Sequence, residues 1–179
     1  MECESNLPAA KRIFRARRFD VEEVYQSLDD GSQVTRHVVR HPGAVVVLPL
    51  VDEDHVCLIH TFRVAVNRWL FELPAGTLEP NEPPLVTAGR ELIEETGFEA
   101  AKVVHVHTFC MSPGILDEKM HFYVASQLTK LAPQREVGEQ IVNHILSWAE
   151  VDRYLRDGKI EDAKTLVALL WYLRYRTHA

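Results

Sequence analysis

Three glutamates within five residues, Glu91, Glu94 and Glu95, are the side chains of this sequence best placed to do chemistry together. On a helix, at 100° per residue, Glu91 and Glu95 lie one turn apart on the same face, with Glu94 aimed about 100° away from Glu95. Like charges four residues apart destabilise a helix by roughly a few tenths of a kcal/mol. Acidic groups near a helix C-terminus also oppose the macrodipole. The cluster therefore asks for positive charge. Arg90 can supply part of it, which would make the glutamates an ordinary solvated face. A hard divalent cation such as Mg²⁺, or Mn²⁺ in its place, would supply more, since carboxylate oxygens suit these ions and the ions commonly bridge carboxylates to phosphates.

The elements that must position these side chains can be read from pattern. Pro83 and Pro84 suit a first helical turn and Gly97 a helix end. Between them Leu85, Ala88, Gly89 and Leu92 share one face, so the segment predicts an amphipathic helix with Glu91 and Glu95 at the margin of its apolar stripe. Upstream, Ile13 to Phe19, Val21 to Tyr25 and Val34 to Val39 read as strands, with Asp29-Asp30-Gly31-Ser32 as turn chemistry. Ala44 to Leu50 is a continuous apolar run suited to a strand buried on both faces. Val56 to Phe62 follows after Asp52-Glu53-Asp54, and the spacing predicts tight antiparallel pairing of these two strands. Trp69 to Leu73 is a short strand. Val103 to Phe109, Met120 to Ser126 and Ile141 to Leu146 read as further strands, with a loop over 111–119. Helices over Trp148 to Asp157 and Asp162 to Tyr175 close the chain. Strands flanking a central helix, with helices again at the end, predict an α/β protein with a mixed sheet covered on both faces.

A chain of 179 residues fits one domain plus a short accessory element. The net charge of −6 argues against a nucleic-acid or anionic-membrane partner. A small anionic substrate stays open, because a bound cation inverts the local field. Cys3, Cys57 and Cys110 share no metal or redox spacing and read as reduced and incidental. The first residues do not resemble a signal peptide, and the longest apolar run is too short for a bilayer, so a cytoplasmic location is expected. The nine histidines form no zinc motif; His105 and His107 alternate on one strand and read as structural.

Gly76, Glu82, Arg90, Glu91, Leu92, Glu94, Glu95, Gly97 and Phe98 stand at the fixed spacings of the Nudix box, and the chain resembles the Nudix hydrolases. Phe98 fills a place more often aliphatic. The resemblance implies an α/β/α sandwich and metal-dependent hydrolysis of a nucleoside diphosphate linked to another group. It implies Glu91, Glu95 and the Ala75 carbonyl as metal ligands, Glu94 close by, and Arg90 orienting the glutamates.

Beyond the box, the chain is similar to the ADP-ribose pyrophosphatase subfamily. The likeness rests on Thr61-Phe62-Arg63, Phe71-Glu72-Leu73-Pro74-Ala75-Gly76, the run from Cys110 to Glu118 and the run from Gly158 to Thr165. Pro113 falls sixteen residues after Gly97. This implies substrate contacts from Arg63, Glu72, Ser112, Pro113 and Gly114, and cleavage of ADP-ribose to AMP and ribose 5-phosphate. The general base implied is a loop glutamate, Glu139 first and Glu136 second, with Glu118 ranked lower. Relatives of this kind are homodimers that exchange N-terminal strands, which would make residues 1–40 a dimerisation and substrate element and 41–179 the hydrolase domain. Phe14, Phe19 and Tyr25 are the aromatic candidates for stacking the base; relatives often use Trp there, and none precedes Trp69. The competing readings are a hydrolase of UDP-glucose or GDP-mannose type sugar nucleotides and a noncatalytic nucleotide sensor. Intact box glutamates and the lack of a DNA-binding extension count against the sensor.

Overall fold

The computed structural model describes residues 9–133 and 140–175. The chain begins with an antiparallel meander of β1 (Lys11–Arg15), β2 (Asp20–Ser27) and β3 (Gln33–Arg40). Its second turn is built as the sequence predicts: Asp30 Oδ1 accepts from the backbone N–H and hydroxyl of Ser32, and Gly31 takes φ of 79°. β1 is shorter than expected. It stops at Arg15, so that Ala16 to Phe19 form the turn into β2, closed by the Ala16 N–H on the Phe19 carbonyl at 2.9 Å.

Two sheets follow. One is mixed, with order β7 (Ala75–Thr77), β4 (Ala44–Pro49), β9 (Lys119–Lys130), β8 (Phe98–Cys110), and β4 runs parallel to β9. The other is antiparallel, with β5 (His55–Arg63) between β10 (Ile141–Ser147) and β6 (Arg68–Glu72). The expected hairpin of β4 and β5 is not formed; only an isolated bridge, Leu50 to Val56, links them. Both edges of β4 are taken, by β7 and β9, and the Leu50 N–H donates to the Ala125 carbonyl at 2.8 Å. A strand buried on both faces needs partners on both edges, so the turn at 51–54 serves to move the chain to the second sheet.

β4 is buried at every position, and its alternation divides the core. Val45 and Val47 pack with Cys57, Ala88, Leu92, Phe98 and Tyr123, beneath α1 (Pro84–Glu91). Val46 and Leu48 pack with Leu58, Phe122, Trp148, Val151 and Leu169, beneath α2 (Trp148–Arg156) and α3 (Ala163–Tyr175). Helices thus cover both faces, as predicted for the α/β/α layers. α2 starts on a full capping box between Ser147 and Glu150.

The helix of the glutamate cluster differs from the uniform α-helix expected over 83–97. It is α-helical to Glu91 and then widens into a π turn over Leu92–Thr96, ended by Gly97 at φ 72°. Leu85, expected on the core face, is half exposed, and Thr87 is buried with Ala88 and Leu92 instead. The Thr87 hydroxyl can be buried there because it donates to Glu82 at 2.8 Å.

Candidate active site

The tight link between β7 and α1 is the structural basis of the acidic cluster. An added Cβ on Gly76 would stand 1.9 Å from Glu91 Oε1, so only glycine lets the strand pass this close to the Glu91 carboxylate. One residue earlier, the Ala75 N–H donates to Glu95 Oε2 at 2.9 Å. Glu95 is itself buried, at 6% exposure, a position a carboxylate holds only with hydrogen bonds or a cation. Arg90 organises the rest. Its Nε and Nη2 form a fork on Glu82, each at 3.1 Å, and its Nη1 donates to Glu91 and Glu94, each at 2.8 Å. The Glu82 fork holds the guanidinium well above its ordinary range, and the same bonds hold the Glu82 carboxyl below its own. Arg90 thus gathers three carboxylates, Glu82, Glu91 and Glu94, while Glu95 is held by the Ala75 backbone.

The acidic cluster shares a cavity with basic groups. The cavity, of about 700 Å³, is lined by Ala75, Gly76, Glu91, Glu94 and Glu95, which form an acidic wall, and by Arg15, Arg17, Arg18, Arg40 and Arg63, which form a basic one. Arg63, at the end of β5, forks onto Glu72 at the end of β6 with two bonds of 2.7 Å. These bonds raise the Arg63 pKa despite partial burial. Burial alone would push the Glu72 carboxyl up, but the Arg63 fork and the Lys164 charge outweigh it and hold the group below the usual range. Arg40, at the end of β3, is committed to Glu22 at 2.9 Å and Asp117 at 3.1 Å. Arg17 and Arg18 sit exposed in the turn between β1 and β2, and neither forms an ion pair among the described residues.

Of the residues singled out in the sequence, Ala75, Arg90, Glu91, Glu94, Glu95 and Arg63 converge on this cavity. Glu72 is buried just behind it, on Arg63. Ser112, Pro113 and Gly114 are exposed and do not line it. Their loop packs instead on the meander, where the Val39 N–H donates to the Ile115 carbonyl at 2.8 Å and the Asp117 N–H to the Val39 carbonyl at 3.1 Å. Glu118 lies near His41, 3.5 Å from its Nδ1. Glu136 and Glu139 fall outside the described residues. Among the aromatic candidates Phe19 lines the cavity, whereas the Phe14 ring is tilted against that of Phe19, with centroids 6.1 Å apart, and Tyr25 donates to Glu23. The arginines at 15, 17, 18 and 40 were not anticipated. The signal was present, since Lys11, Arg12, Arg15, Arg17 and Arg18 crowd eight residues of a chain of net charge −6.

Of the two histidines expected to be structural, His105 joins a hydrogen-bonded set in which Thr108 Oγ1 lies 3.0 Å from its Nε2 and 3.1 Å from His121 Nδ1, whereas His107 is exposed and not part of it. Cys57 and Cys110 are free thiols, and burial pushes Cys57 up to about 12, which keeps it unreactive. Cys3 lies outside the described residues. Among those residues no helix is long and apolar enough to cross a membrane.

No three His, Cys, Asp or Glu side chains among the described residues converge as a ready-made metal cage. Glu91 and Glu94 are both drawn to Arg90. The donor chemistry nonetheless fits a hard cation: oxygen ligands only, on a helix end where negative groups outnumber Arg90, beside a glycine that admits close backbone approach.

An acidic helix end held by one arginine and a further set of arginines thus line a single cavity at the edge of a mixed sheet. A sequence model of the NUDIX domain matches residues 39–170, and the chain belongs to the Nudix family. The ADP-ribose pyrophosphatase of Bacillus subtilis (strain 168) is 35% identical over 168 residues, covering 93% of this chain and 91% of that protein. The methanol dehydrogenase activator of Bacillus methanolicus is 37% identical over 163 residues, covering 89% and 87%. In fold, the chain is similar to a solved structure described as an ADP compounds hydrolase, with a TM-score of 0.84 at 24% identity, covering 96% of this chain and 94% of that one.

Proposed function

We propose that the protein hydrolyses the diphosphate of ADP-ribose to AMP and ribose 5-phosphate, with Mg²⁺ or Mn²⁺ as cofactor. The observation that carries this reading is the meeting of acidic and basic groups in one cavity. Glu91, Glu94 and Glu95 line it together with Arg15, Arg17, Arg18, Arg40 and Arg63, in about 700 Å³, a volume suited to one nucleotide-sized ligand. The B. subtilis relative, which aligns over nearly the whole chain, is named for this activity.

Glu91, Glu95 and the Ala75 carbonyl would hold the cation, with Glu94 beside them. Bound there, it would neutralise charge on the diphosphate and acidify water. The protein's own groups do the rest. Arg63, fixed by Glu72, presents the free edge of its guanidinium to phosphate oxygens in a rigid orientation. Arg17 and Arg18, which form no ion pair among the described residues, add further attraction. Phe19 offers a ring for the nucleobase. A loop carboxylate accepts the proton of the attacking water. We assign that role to Glu139, with Glu136 as the alternative. E139Q then lowers kcat by about a hundredfold with folding unchanged, whereas a full loss in E136Q alone transfers the role to that residue.

The meander carries exposed Ile13, Phe14 and Phe19, which suits an apolar contact with a second copy. We therefore propose a homodimer in which residues 1–40 serve contact and substrate binding and 41–179 form the hydrolase domain, in the cytoplasm. Light scattering of the purified protein reads the mass directly, and a monomer overturns that part.

The decisive experiment is a substrate panel of ADP-ribose, UDP-glucose and GDP-mannose, with and without Mg²⁺, followed by separation of products. AMP and ribose 5-phosphate formed only with the metal support the reading. Equal or faster turnover of a sugar nucleotide lacking adenine replaces ADP-ribose as the substrate.

A further inference from the structure

We propose that Lys164 is a positioning residue for the diphosphate: buried behind the cavity wall, it shares the Glu72 carboxylate with Arg63 and so leaves the Arg63 charge available to substrate. The inference rests on the cavity being a diphosphate site. It concerns a residue of α3, far in sequence from the box glutamates and absent from the cavity lining.

Lys164 is the second residue of α3, and its side chain is only 10% exposed. Its Nζ donates to Glu72 Oε2 and, at 2.9 Å, to Asp162 Oδ1. Glu72, 1% exposed, also receives both arms of the Arg63 fork. The other oxygen of Asp162 accepts from the Thr165 N–H at 3.0 Å and its hydroxyl at 2.6 Å. That hydroxyl in turn accepts from the Leu73 N–H at 2.9 Å. The first turn of α3 is thus bolted to the end of β6 across 92 residues of chain, two residues before Ala75, whose N–H holds Glu95. One connected set of bonds fixes both the arginine that faces the phosphates and the backbone that enters the acidic wall.

Charge explains why a lysine is needed there. Arg63 and Lys164 balance Glu72 and Asp162, two positive groups against two negative. Without the ammonium, Arg63 becomes the sole cation for two carboxylates, and the cluster behind this part of the basic wall turns net negative. The Arg63 side chain is 43% exposed, so such an imbalance reaches the solvent-filled cavity and is open to screening by salt. A lysine that merely filled space would show no dependence on charge.

The test compares K164Q and K164R with the wild type in steady-state hydrolysis of ADP-ribose at low and high ionic strength, beside thermal melts. Glutamine keeps a donor and much of the length and loses only the charge. K164Q raises KM by about tenfold at low salt while kcat changes far less, and the gap narrows as salt screens the repulsion. K164R keeps KM within about twofold of wild type, because the charge is retained. Wild-type KM in K164Q overturns the proposal. So does a loss in both variants that follows a fall in melting temperature and ignores salt. If K164Q does not fold, a large rise in KM in well-folded K164R overturns it and a near-normal KM upholds it. An inactive wild type would refute the ADP-ribose reading alone. The comparison is then run on whichever nucleoside diphosphate derivative the wild type does cleave, since the charge argument needs only a diphosphate.

Discussion

The two walls of the cavity are built in opposite ways. The acidic wall comes from one short stretch, Gly76 to Glu95, in which a strand, a helix and a π turn stack the glutamates around Arg90. The basic wall is gathered from three separate stretches of the chain: the end of β1 with the turn into β2, the end of β3 and the end of β5. Groups that share one cation must be held to fractions of an ångström, and a single helix does this best. Groups that attract a polyanion act over several ångströms and tolerate dispersed origins. Loss of a residue from the acidic wall should therefore fall on kcat, and loss from the basic wall on KM.

The largest effect belongs to Glu95. E95Q keeps the shape and the acceptor for the Ala75 N–H but removes the charge, so kcat falls by at least about a hundredfold, as the stabilisation a cation supplies is worth several kcal/mol. Near-normal Mg²⁺-dependent turnover in E95Q would place the cation elsewhere and dissolve the contrast between the walls. G76A is a subtler break. The new Cβ falls 1.9 Å from the Glu91 carboxylate, whose flexible end can swing away, so the protein still folds while a ligand group is displaced. A drop of about thirtyfold in kcat, with a melting shift of only a few degrees, is expected. A collapse of the fold in thermal melts would instead make Gly76 a packing residue.

The same contrast explains what the sequence made legible. Glu91, Glu94 and Glu95 could be placed because a helix maps spacing directly onto geometry, whereas the roles of Arg90 and Gly76 came from the resemblance to the Nudix box. The widened turn at Leu92–Thr96 could not, since it depends on how the helix end is fitted against β8 and the Thr96 hydroxyl, which donates to the Leu92 carbonyl. Buried strands were found from their apolar runs, but their partners were not. β4 reads like half of a hairpin with β5, and only the parallel register with β9, some 75 residues on (Ala44 opposite Met120), shows why it is not. β7 has three residues and no pattern to read. The arginines were missed for a reason of scale: five cations in the first eighteen residues vanish into a net charge of −6 when the chain is averaged. Local charge runs carry binding information that totals erase.

On the basic wall the strongest single effect is expected at Arg63. R63K keeps the charge but loses the fork that grips Glu72 and the planar edge offered to phosphate, so KM rises by about tenfold with kcat little changed. A loss confined to kcat would move Arg63 into the chemistry and blur the division between the walls.

The smallest effect is expected at the turn between β1 and β2. The double variant R17A/R18A removes two guanidinium groups that line the cavity and have no carboxylate partners among the described residues. Both are exposed, and exposed charges are screened over a Debye length of about 8 Å at physiological salt. KM should therefore rise by about fivefold at low salt and by less than about twofold at high salt, with kcat and the melting temperature unchanged. The ratio of the two KM values measures how much of the basic wall works through its field and how much through contact. A rise in KM that survives high salt would show that these arginines bind substrate directly, as Arg63 does, and that the turn belongs to the fixed geometry of the site.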